Sequence, residues 1–344
     1  MSNKTVLLTG DRGFIGTYIV QKLLDDGHEV VGIDNDSKYG EQQKAYDGHT
    51  NYTRIAADCR DEHLLKEVMH DYGVSHMIMG AALIGGIPYF HQYPYTLLAK
   101  NEQLMAAQFN AAIHAYENSD LTKVLVISSS MVYEGATKWP SVEGDELISP
   151  PPHSSYGFQK LATEYFARAA WDEFKLPYTI VRPFNCVGIG ERRSQMDPGM
   201  VSGNIALAMS HVVPDLIQKL AKGQYPLRIL GDGSQVRHYT YGADLADGIV
   251  TALFHPNARN QDFNLSSPEA TTVMELAEKI WEWYYPYIPM SVAHDEPFFY
   301  DVQRRSPDTT KAERLLGWKA ITTLDEMLKI VIPWVDQQVI EGGI

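Results

Sequence analysis

The chain has 344 residues, 44% of them hydrophobic, which is ordinary for a globular protein that buries a core. Its formal net charge of −14 at pH 7 argues against nucleic acid or an anionic membrane surface as a partner. The two cysteines, Cys59 and Cys186, are too few for a disulfide framework and lack metal-site spacing, so we expect no metal. No signal-type segment and no apolar run near the roughly 20 residues of a membrane helix stand out, so we expect a cytoplasmic protein.

Short apolar runs alternate with helical patterns along the first half of the chain. The runs that we predict to be strands are 5–9, 30–34, 54–57, 76–79, 124–127 and 178–181. Long helical patterns cover residues 62–72, 95–118 and 155–174. Strands that alternate with helices favour an α/β fold with a parallel, doubly wound sheet.

The pattern changes after Arg182 and Pro183, where a glycine-rich, polar stretch leads into more helix and loop than strand. This half suits a smaller mixed α/β lobe that covers a substrate. We predict a first domain at 1–182, to which 236–262 returns, and a lobe formed by 183–235 and 263–344.

A glycine motif follows the first predicted strand. Gly10, Gly13 and Gly16 have the spacing G-x-x-G-x-x-G between a strand and a helix. Glycines there let the backbone turn tightly and approach a pyrophosphate, which the positive end of the helix attracts. Asp34 ends the second strand, where a carboxylate accepts hydrogen bonds from both ribose hydroxyls and repels a 2′-phosphate. The motif predicts a dinucleotide cofactor and favours NAD over NADP.

Two later strand ends add to this cofactor prediction. Asp58 closes the third strand, where it either meets an adenine amine or caps the next helix, and Asp61 is the better capping candidate. Ala81 and Ala82 follow the fourth strand, where small residues let a cofactor lie against the backbone or simply form a tight loop.

Tyr156 and Lys160 stand four residues apart in a helical pattern, so they share one face of the helix. An ammonium beside a phenol lowers the phenol pKa from its ordinary value of about 10. A tyrosine in that setting is a general base for a sugar or alcohol hydroxyl. With the glycine motif and the serines 128–130, the pair indicates a nicotinamide enzyme that acts on a hydroxyl.

These segments resemble the extended short-chain dehydrogenase/reductase family of nucleotide-sugar epimerases and dehydratases, which has a Rossmann sheet. The matching segments run in family order along nearly the whole chain. They are Thr9–Gly16, Asp34–Asn35, Asp58, Asn101, Ser128–Tyr133, Tyr156 with Lys160, Arg182–Asn185, Gly231–Arg237, Arg305 with Asp308, and Leu316–Trp318.

The resemblance implies a role for each matching group. Tyr156 takes a proton from a sugar hydroxyl, Lys160 binds the nicotinamide ribose and lowers the pKa of Tyr156, and Ser129 hydrogen-bonds the reacting oxygen. The residues implied for NAD are Gly10, Gly13, Phe14, Ile15, Gly16, Asp34, Asn35, Asp58, Cys59, Ala81, Ala82, Asn101, Ser128, Tyr156, Lys160 and Phe184. Those implied for a nucleotide-diphosphate sugar are Gly86, Ser129, Ser130, Tyr156, Asn185, His211, Val212, Arg237, Arg305 and Asp308.

The residues after Ser129 bear on the reaction. By resemblance, 4,6-dehydratases have an Asp–Glu pair at the places of Ser130 and Met131, decarboxylases usually have Glu in place of Met131, and GDP-mannose 3,5-epimerase has Cys there. Because Met131 has no titratable proton, we expect a UDP-sugar-type 4-epimerase, in which hydride leaves C4 and returns to the opposite face. A dehydratase or 3,5-epimerase with an altered acid and base, a reductase and a catalytically silent NAD-binding protein stay open.

The resemblance also implies a homodimer. The helices predicted over 95–118 and 155–174 would pair across a two-fold axis as a four-helix bundle. Packing of the same helices on the sheet explains their apolar faces equally well.

Overall fold

A computed structural model describes residues 3–84, 92–192, 194–195, 200–202, 205–207, 211–296 and 302–344. Its strands are β1 (Thr5–Thr9), β2 (Glu29–Asp34), β3 (Tyr52–Ala56), β4 (His76–Met79), β5 (Lys123–Ile127), β6 (Tyr178–Pro183), β7 (Cys186–Val187), β8 (Met200–Ser202), β9 (Ile205–Leu207), β10 (Leu227–Leu230), β11 (Val236–Arg237), β12 (Thr240–Tyr241), β13 (Gln261–Leu265), β14 (Thr271–Thr272) and β15 (Val292–Asp295).

The helices of the described ranges follow the predicted periodicity. They are α1 (Phe14–Asp25), α2 (Glu62–Asp71), α3 (Pro94–Asn118), α4 (Ser155–Phe174), α5 (Val212–Ala221), α6 (Gly242–Phe254), α7 (Val273–Tyr284), α8 (Thr310–Leu316) and α9 (Leu324–Ile340). Short 3-10 turns occur as well. Within the described ranges, no helix is both long and apolar enough to cross a bilayer.

Seven parallel strands form the central sheet in the order β13-β6-β5-β4-β1-β2-β3. The chain runs outward in one direction from β1 to β3 and in the other from β4 to β6, so the strand order reverses between β1 and β4. Ligands of such sheets bind at the carboxyl ends of the strands beside that reversal. The predicted doubly wound sheet is confirmed.

Apolar side chains cover both faces of the sheet. On one face, α1 and α6 pack on β1, β5 and β6 together with Ala312, Leu316 and Trp318. On the other face lie α2, α3 and α4. A separate core joins α5, α7 and α9 beside the short β10–β15 pair, and these elements belong to the predicted smaller lobe.

Strand β13 was missed in the sequence because its polar residues interrupt the apolar pattern. Its register pairs Gln261 with Thr179 and Asn264 with Arg182 at the edge of the sheet. The predicted segment boundary at 262 falls inside this strand, and α8, from the predicted lobe, packs against it. The division of the chain into two lobes stays a prediction.

Candidate functional site

A cavity of about 870 Å³ lies where the carboxyl ends of β1, β2, β4 and β5 face the smaller lobe. Its volume is in the range of small-molecule sites. The predicted residues that line it are Gly10, Gly13, Phe14, Ile15, Gly16, Asp34, Asn35, Asp58, Cys59, Ala81, Ala82, Asn101, Ser128, Ser129, Ser130, Tyr156, Lys160, Asn185, His211, Val212, Arg237 and Arg305. Gly86 lies outside the residues that the structure describes.

The glycine loop packs closely against neighbouring protein backbone at the start of α1. Gly10 has φ +75°, and a Cβ on it would lie 2.9 Å from the Ala81 backbone. A Cβ on Gly16 would lie 2.1 Å from the Gly10 carbonyl oxygen. Gly13, the residue before α1, has no side chain to cap the helix. The loop therefore packs closely and presents the first amides of α1, which fits the pyrophosphate of a dinucleotide.

The carboxylate of Asp34 lies at one end of this loop. Its Oδ1 accepts the Asp36 backbone N–H at 2.8 Å, and burial raises its pKa. Arg12, a cation whose charge acts on Asp34, is 4% exposed and pairs with Asp36 at 3.2 Å and Asp47 at 2.8 Å. Because that guanidinium is already matched by two carboxylates, this end suits a free ribose hydroxyl better than a 2′-phosphate.

Two predicted cofactor residues are held by other protein groups. Asp58 pairs with Arg60, which lowers the Asp58 pKa, whereas Asp61 caps α2 by accepting the Leu64 N–H at 3.1 Å. Asn101 is fully buried inside α3, accepts the Leu83 N–H at 2.7 Å and donates to the Leu83 carbonyl at 3.0 Å. Asn101 thus fixes the backbone that follows Ala81 and Ala82, rather than standing at a helix N-terminus.

Tyr156 lies in the first turn of α4, which brings it beside Ser129. The helix begins after Ser154, whose hydroxyl accepts the Gly157 N–H at 3.0 Å. Glu134 in turn accepts the Ser154 N–H at 2.9 Å and its O–H at 2.8 Å, so this carboxylate supports the start of the helix. Both side chains line the cavity, and the Ser129 hydroxyl also accepts the Met131 N–H at 3.2 Å.

The charges around Tyr156 differ from the prediction. Burial raises the Tyr156 pKa, while the hydrogen bond to Ser129 and the charges of Arg305 and Lys38 act to lower it. The Lys160 ammonium instead donates to the Ile127 carbonyl at 2.8 Å, and burial lowers its own pKa to about 8. A backbone carbonyl thus holds the Lys160 ammonium in this structure, and the expected lowering of the Tyr156 pKa by Lys160 stays a prediction.

A buried network of charged side chains holds the segment that contains Ser128 and Ser129. The Ser128 hydroxyl donates to Glu164 at 2.6 Å, and Arg182 donates to the two oxygens of Glu164 at 2.8 and 2.7 Å. Arg182 and Glu164 are fully buried. Burial of both charges requires these pairings, so the network fixes the loop that carries Ser129.

The opposite end of the cavity carries cations from segments that are distant in sequence. Arg237 ends β11, and the Arg305 N–H donates to the Val236 carbonyl at 3.2 Å, so the two arginines lie on neighbouring chain segments. Asn185, at φ +36°, donates its amide to the His238 carbonyl at 3.0 Å. A pair of guanidinium groups in a cavity suits a diphosphate, which they meet through two oxygens at once.

His211 and Val212 reach the same end from the start of α5. His211 precedes the helix, and its Nδ1 is paired with the carboxylate of Glu191. The Glu191 side chain is 5% exposed, and His211 and Lys38 keep its pKa low despite its burial.

Two predicted residues do not reach the cavity. Phe184 is 1% exposed and packs with Val132, Tyr133 and Leu161 beneath the site. Asp308 accepts the Thr310 N–H at 2.8 Å and so holds the start of α8. The family motif placed both residues correctly in sequence, but their side chains serve packing and helix initiation here.

The sequence motifs do not point to Lys38 or Glu191. Lys38 follows β2 in a segment without regular structure, and it lines the cavity. Glu191 lies in a glycine-rich stretch whose path only the fold reveals. The available signal was a charged residue among other charged residues in each segment, and such charges are most often solvated.

Comparison with known proteins agrees with this geometry. Residues 6–266 match the model of the NAD dependent epimerase/dehydratase family. The chain is similar to UDP-glucuronic acid decarboxylase 1 of Danio rerio, with 28% identity over 97% of this chain and 73% of that protein. It is equally similar to a putative UDP-glucose 4-epimerase of Methanocaldococcus jannaschii, with 28% identity over 96% of this chain and 97% of that protein.

A solved structure extends the similarity to three dimensions. The UDP-N-acetylglucosamine 4-epimerase of Methanobrevibacter ruminantium M1, in complex with UDP-N-acetylmuramic acid, superposes with a TM-score of 0.82 and 25% identity over 98% of this chain and all of that one. The predicted resemblance and the predicted cofactor are both confirmed. The chain belongs to the NAD dependent epimerase/dehydratase family of enzymes, and NAD is its cofactor.

Proposed function

We propose that the protein is a 4-epimerase of nucleotide-diphosphate sugars. The observation that carries the proposal is the composition of the reacting end: Tyr156 and Ser129 line the same cavity, Ser129 acts to lower the Tyr156 pKa, and the neighbouring Met131 is buried and apolar. A proton acceptor for one hydroxyl is therefore present, and Met131 supplies no titratable group at the place where other subclasses of the family have one by resemblance. Oxidation at C4 and reduction from the opposite face require only one such proton acceptor beside bound NAD.

The chain's own residues would act in a defined order. Arg237 and Arg305 bind the diphosphate and thereby place the sugar against Tyr156. Ser129 hydrogen-bonds the C4 oxygen, and Tyr156 takes its proton as the C4–H bond breaks. Bound NAD supplies the hydride acceptor and then the donor. After the 4-keto sugar turns over, Tyr156 returns the proton to the C4 oxygen.

The geometry of Glu134 also supports this reading. It is the nearest carboxylate along the chain after Met131, but the N–H and O–H of Ser154 occupy its Oε2. A carboxylate that holds a helix terminus is a poor candidate for the acid or base of a dehydratase or 3,5-epimerase.

Decarboxylation of a nucleotide-diphosphate uronate is the second candidate. The similarity to UDP-glucuronic acid decarboxylase 1 favours it. It also needs little extra machinery, because a C4 ketone makes the C6 carboxylate a β-keto acid that loses CO₂ readily. By resemblance, however, decarboxylases usually have Glu in the place of Met131.

Proton NMR of the purified protein in deuterated water tests both candidates. The substrates are UDP-, GDP-, dTDP- and CDP-sugars, including uronates, and no NAD is added. Interconversion of C4 epimers without deuterium uptake is the expected result. Deuterium at C3, C5 or C6, a 4-keto-6-deoxy product or a pentose product would overturn the 4-epimerase proposal.

A homodimer through α3 and α4 accompanies this proposal. The two helices pack against each other, and α4 exposes Phe158 and Tyr165 while α3 exposes Tyr95. Light scattering is expected to give twice the mass of the 38.7 kDa chain. The mass of a single chain would refute the dimer.

A further inference from the structure

One carboxylate joins the two segments that carry Ser129 and Tyr156. Glu134 follows directly on the short 3-10 turn Ser130–Tyr133, which begins after Ser129. The Glu134 Oε2 accepts the Ser154 N–H at 2.9 Å and the Ser154 O–H at 2.8 Å. Ser154 is the residue before α4, and Tyr156 lies in the first turn of that helix. A single side chain therefore connects the turn after Ser129 to the start of the Tyr156 helix.

The helices α7 and α9 begin with the same contact, but there the carboxylate is local. Glu275 accepts the Thr272 N–H at 2.7 Å and its O–H at 2.8 Å at the start of α7. Glu326 accepts the Thr323 N–H at 2.8 Å and its O–H at 2.7 Å at the start of α9. Both carboxylates belong to the first turn of the helix that they hold. Glu134 instead lies 20 residues before its partner in the chain, so its contact fixes one segment against another.

The backbone at this junction is packed too closely for a side chain at Gly157. The Gly157 N–H donates to the Ser154 hydroxyl at 3.0 Å. A Cβ on Gly157 would lie 2.8 Å from the Met131 carbonyl oxygen and 3.0 Å from the Glu134 Oε2, so glycine lets the turn and the helix meet. The Met131 N–H also donates to the Ser129 hydroxyl at 3.2 Å, so the same turn holds Ser129.

We propose that Glu134 is a positioning residue, whose carboxylate holds the first turn of α4 so that Tyr156 keeps a fixed place relative to Ser129. This inference rests on the proposed roles of Tyr156 as the base and Ser129 as its partner. Without the carboxylate, the Ser154 N–H and O–H lose their acceptor, and the start of the helix is no longer tied to the turn. A misplacement of a reacting group by about 1 Å can cost about a hundredfold in rate. Glu134 thus acts through the geometry of Tyr156 and not by contact with the sugar.

The test breaks the junction from either side. Glu134→Ala removes the acceptor, and Gly157→Ala adds a methyl group where the Met131 carbonyl leaves no room. Glu134→Gln keeps an acceptor oxygen at the same reach without the charge. Glu326→Ala is the matched control, because it removes the same pair of hydrogen bonds from the start of α9.

The first readout separates kcat from KM for whichever nucleotide sugar turns over. In Glu134→Ala and Gly157→Ala, kcat is expected to fall about 10- to 100-fold, while KM and the NAD content stay unchanged. Glu134→Gln restores most of the lost kcat, and Glu326→Ala leaves kcat at the wild-type value. A general loss of stability would lower the NAD content as well and would not distinguish Glu134 from Glu326.

The second readout follows Tyr156 without turnover. Tyrosine labelled with ¹³C at the ring carbon that bears the hydroxyl is observed by NMR in the NAD-containing protein, and Tyr156→Phe assigns the signal. The Tyr156 signal is expected to shift or broaden in Glu134→Ala and Gly157→Ala, but not in Glu134→Gln or Glu326→Ala. Because Glu134→Gln removes the charge and Gly157→Ala keeps it, this pattern assigns the effect to the junction and not to the charge.

The two readouts together decide the inference. An unchanged Tyr156 signal in Glu134→Ala would overturn it, whatever the activity. A changed signal with wild-type kcat would overturn it as well, because the junction would then serve folding alone. A changed signal in a protein that turns over no nucleotide sugar would leave the positioning of Tyr156 by Glu134 standing and would defeat the proposed function.

Discussion

The two ends of the cavity are built in different ways. The cofactor end comes from residues close together in sequence, with the glycine loop, Asp34 and Asp58 all within the first three strands. The substrate end combines Asn185, His211, Arg237 and Arg305, which come from loops and short strands of separate segments. A contiguous motif determines the first end, whereas the tertiary fold determines the second.

The ends also differ in charge. Asp11, Asp34 and Asp58 give the cofactor end an acidic character, and the arginine there is matched by carboxylates. The substrate end presents Arg237 and Arg305. The carboxylate of Asp34 suits ribose hydroxyls at the cofactor end, whereas guanidinium groups suit a diphosphate at the substrate end.

Among the substitutions that test this comparison, Tyr156→Phe is expected to have the largest effect, which is on turnover. Loss of the proton acceptor should reduce turnover by about 10²- to 10⁴-fold, while the NAD content of the purified protein stays unchanged. Turnover by NMR and NAD content after extraction measure the two ends separately. Tyr165→Phe is the matched control, since Tyr165 is on the same helix and 56% exposed. Loss of NAD in Tyr156→Phe would contradict this separation of the two ends.

Arg305→Gln is expected to weaken the substrate end alone. Loss of a charged contact to a diphosphate should raise KM by about a hundredfold. Arg304→Gln removes the same charge from the neighbouring residue, which is exposed and lies 6.0 Å from the Trp139 ring centre. Equal KM values for the two variants would show that Arg305 does not meet the substrate.

Asp11→Asn should change the stability of the cofactor end with pH. Burial raises the Asp11 pKa to about 6, so the folded state binds more protons than the unfolded state between about pH 4 and 6. Stability linked to Asp11 is therefore lost as the pH rises through 6. The variant should be more stable than the wild type at pH 7, by at most about 3 kcal/mol, and equally stable at pH 4.

Thermal unfolding of both proteins between pH 4 and 8 measures this difference. Asp71→Asn, at an exposed position at the end of α2, is the control and should show no such pH dependence. A destabilised Asp11→Asn variant at pH 7 would mean that the ionised carboxylate is favourably bound in the folded protein.

Asp34→Asn is expected to have the smallest effect. An amide accepts fewer hydrogen bonds from ribose hydroxyls than a carboxylate, so NAD affinity should fall about tenfold while NADP affinity rises or holds. Titration calorimetry with both cofactors on protein freed of NAD gives the ratio. An unchanged ratio would remove Asp34 from cofactor selection.

Whether the sequence alone could place a residue in the cavity depends on how local its contacts are. The glycine loop, Asp34 and the Tyr156 helix depend on neighbours within one strand–helix unit, so the sequence pattern was sufficient for their placement. Lys38 reaches the cavity, and Glu191 reaches His211 at its edge, only because ion pairs and loop contacts join distant segments. Phe184 and Asp308 match the motif, but packing and helix initiation, which a motif does not encode, take their side chains away.

The most direct test of the account is the fate of hydrogen at C4. A nucleotide sugar deuterated at C4 is incubated with the enzyme in ordinary water, and the epimeric product is analysed by mass spectrometry and NMR. The account predicts that the product keeps its deuterium at C4, because the hydride is returned by the cofactor that accepted it. Loss of deuterium to water, or its appearance at another carbon, would contradict the central claim.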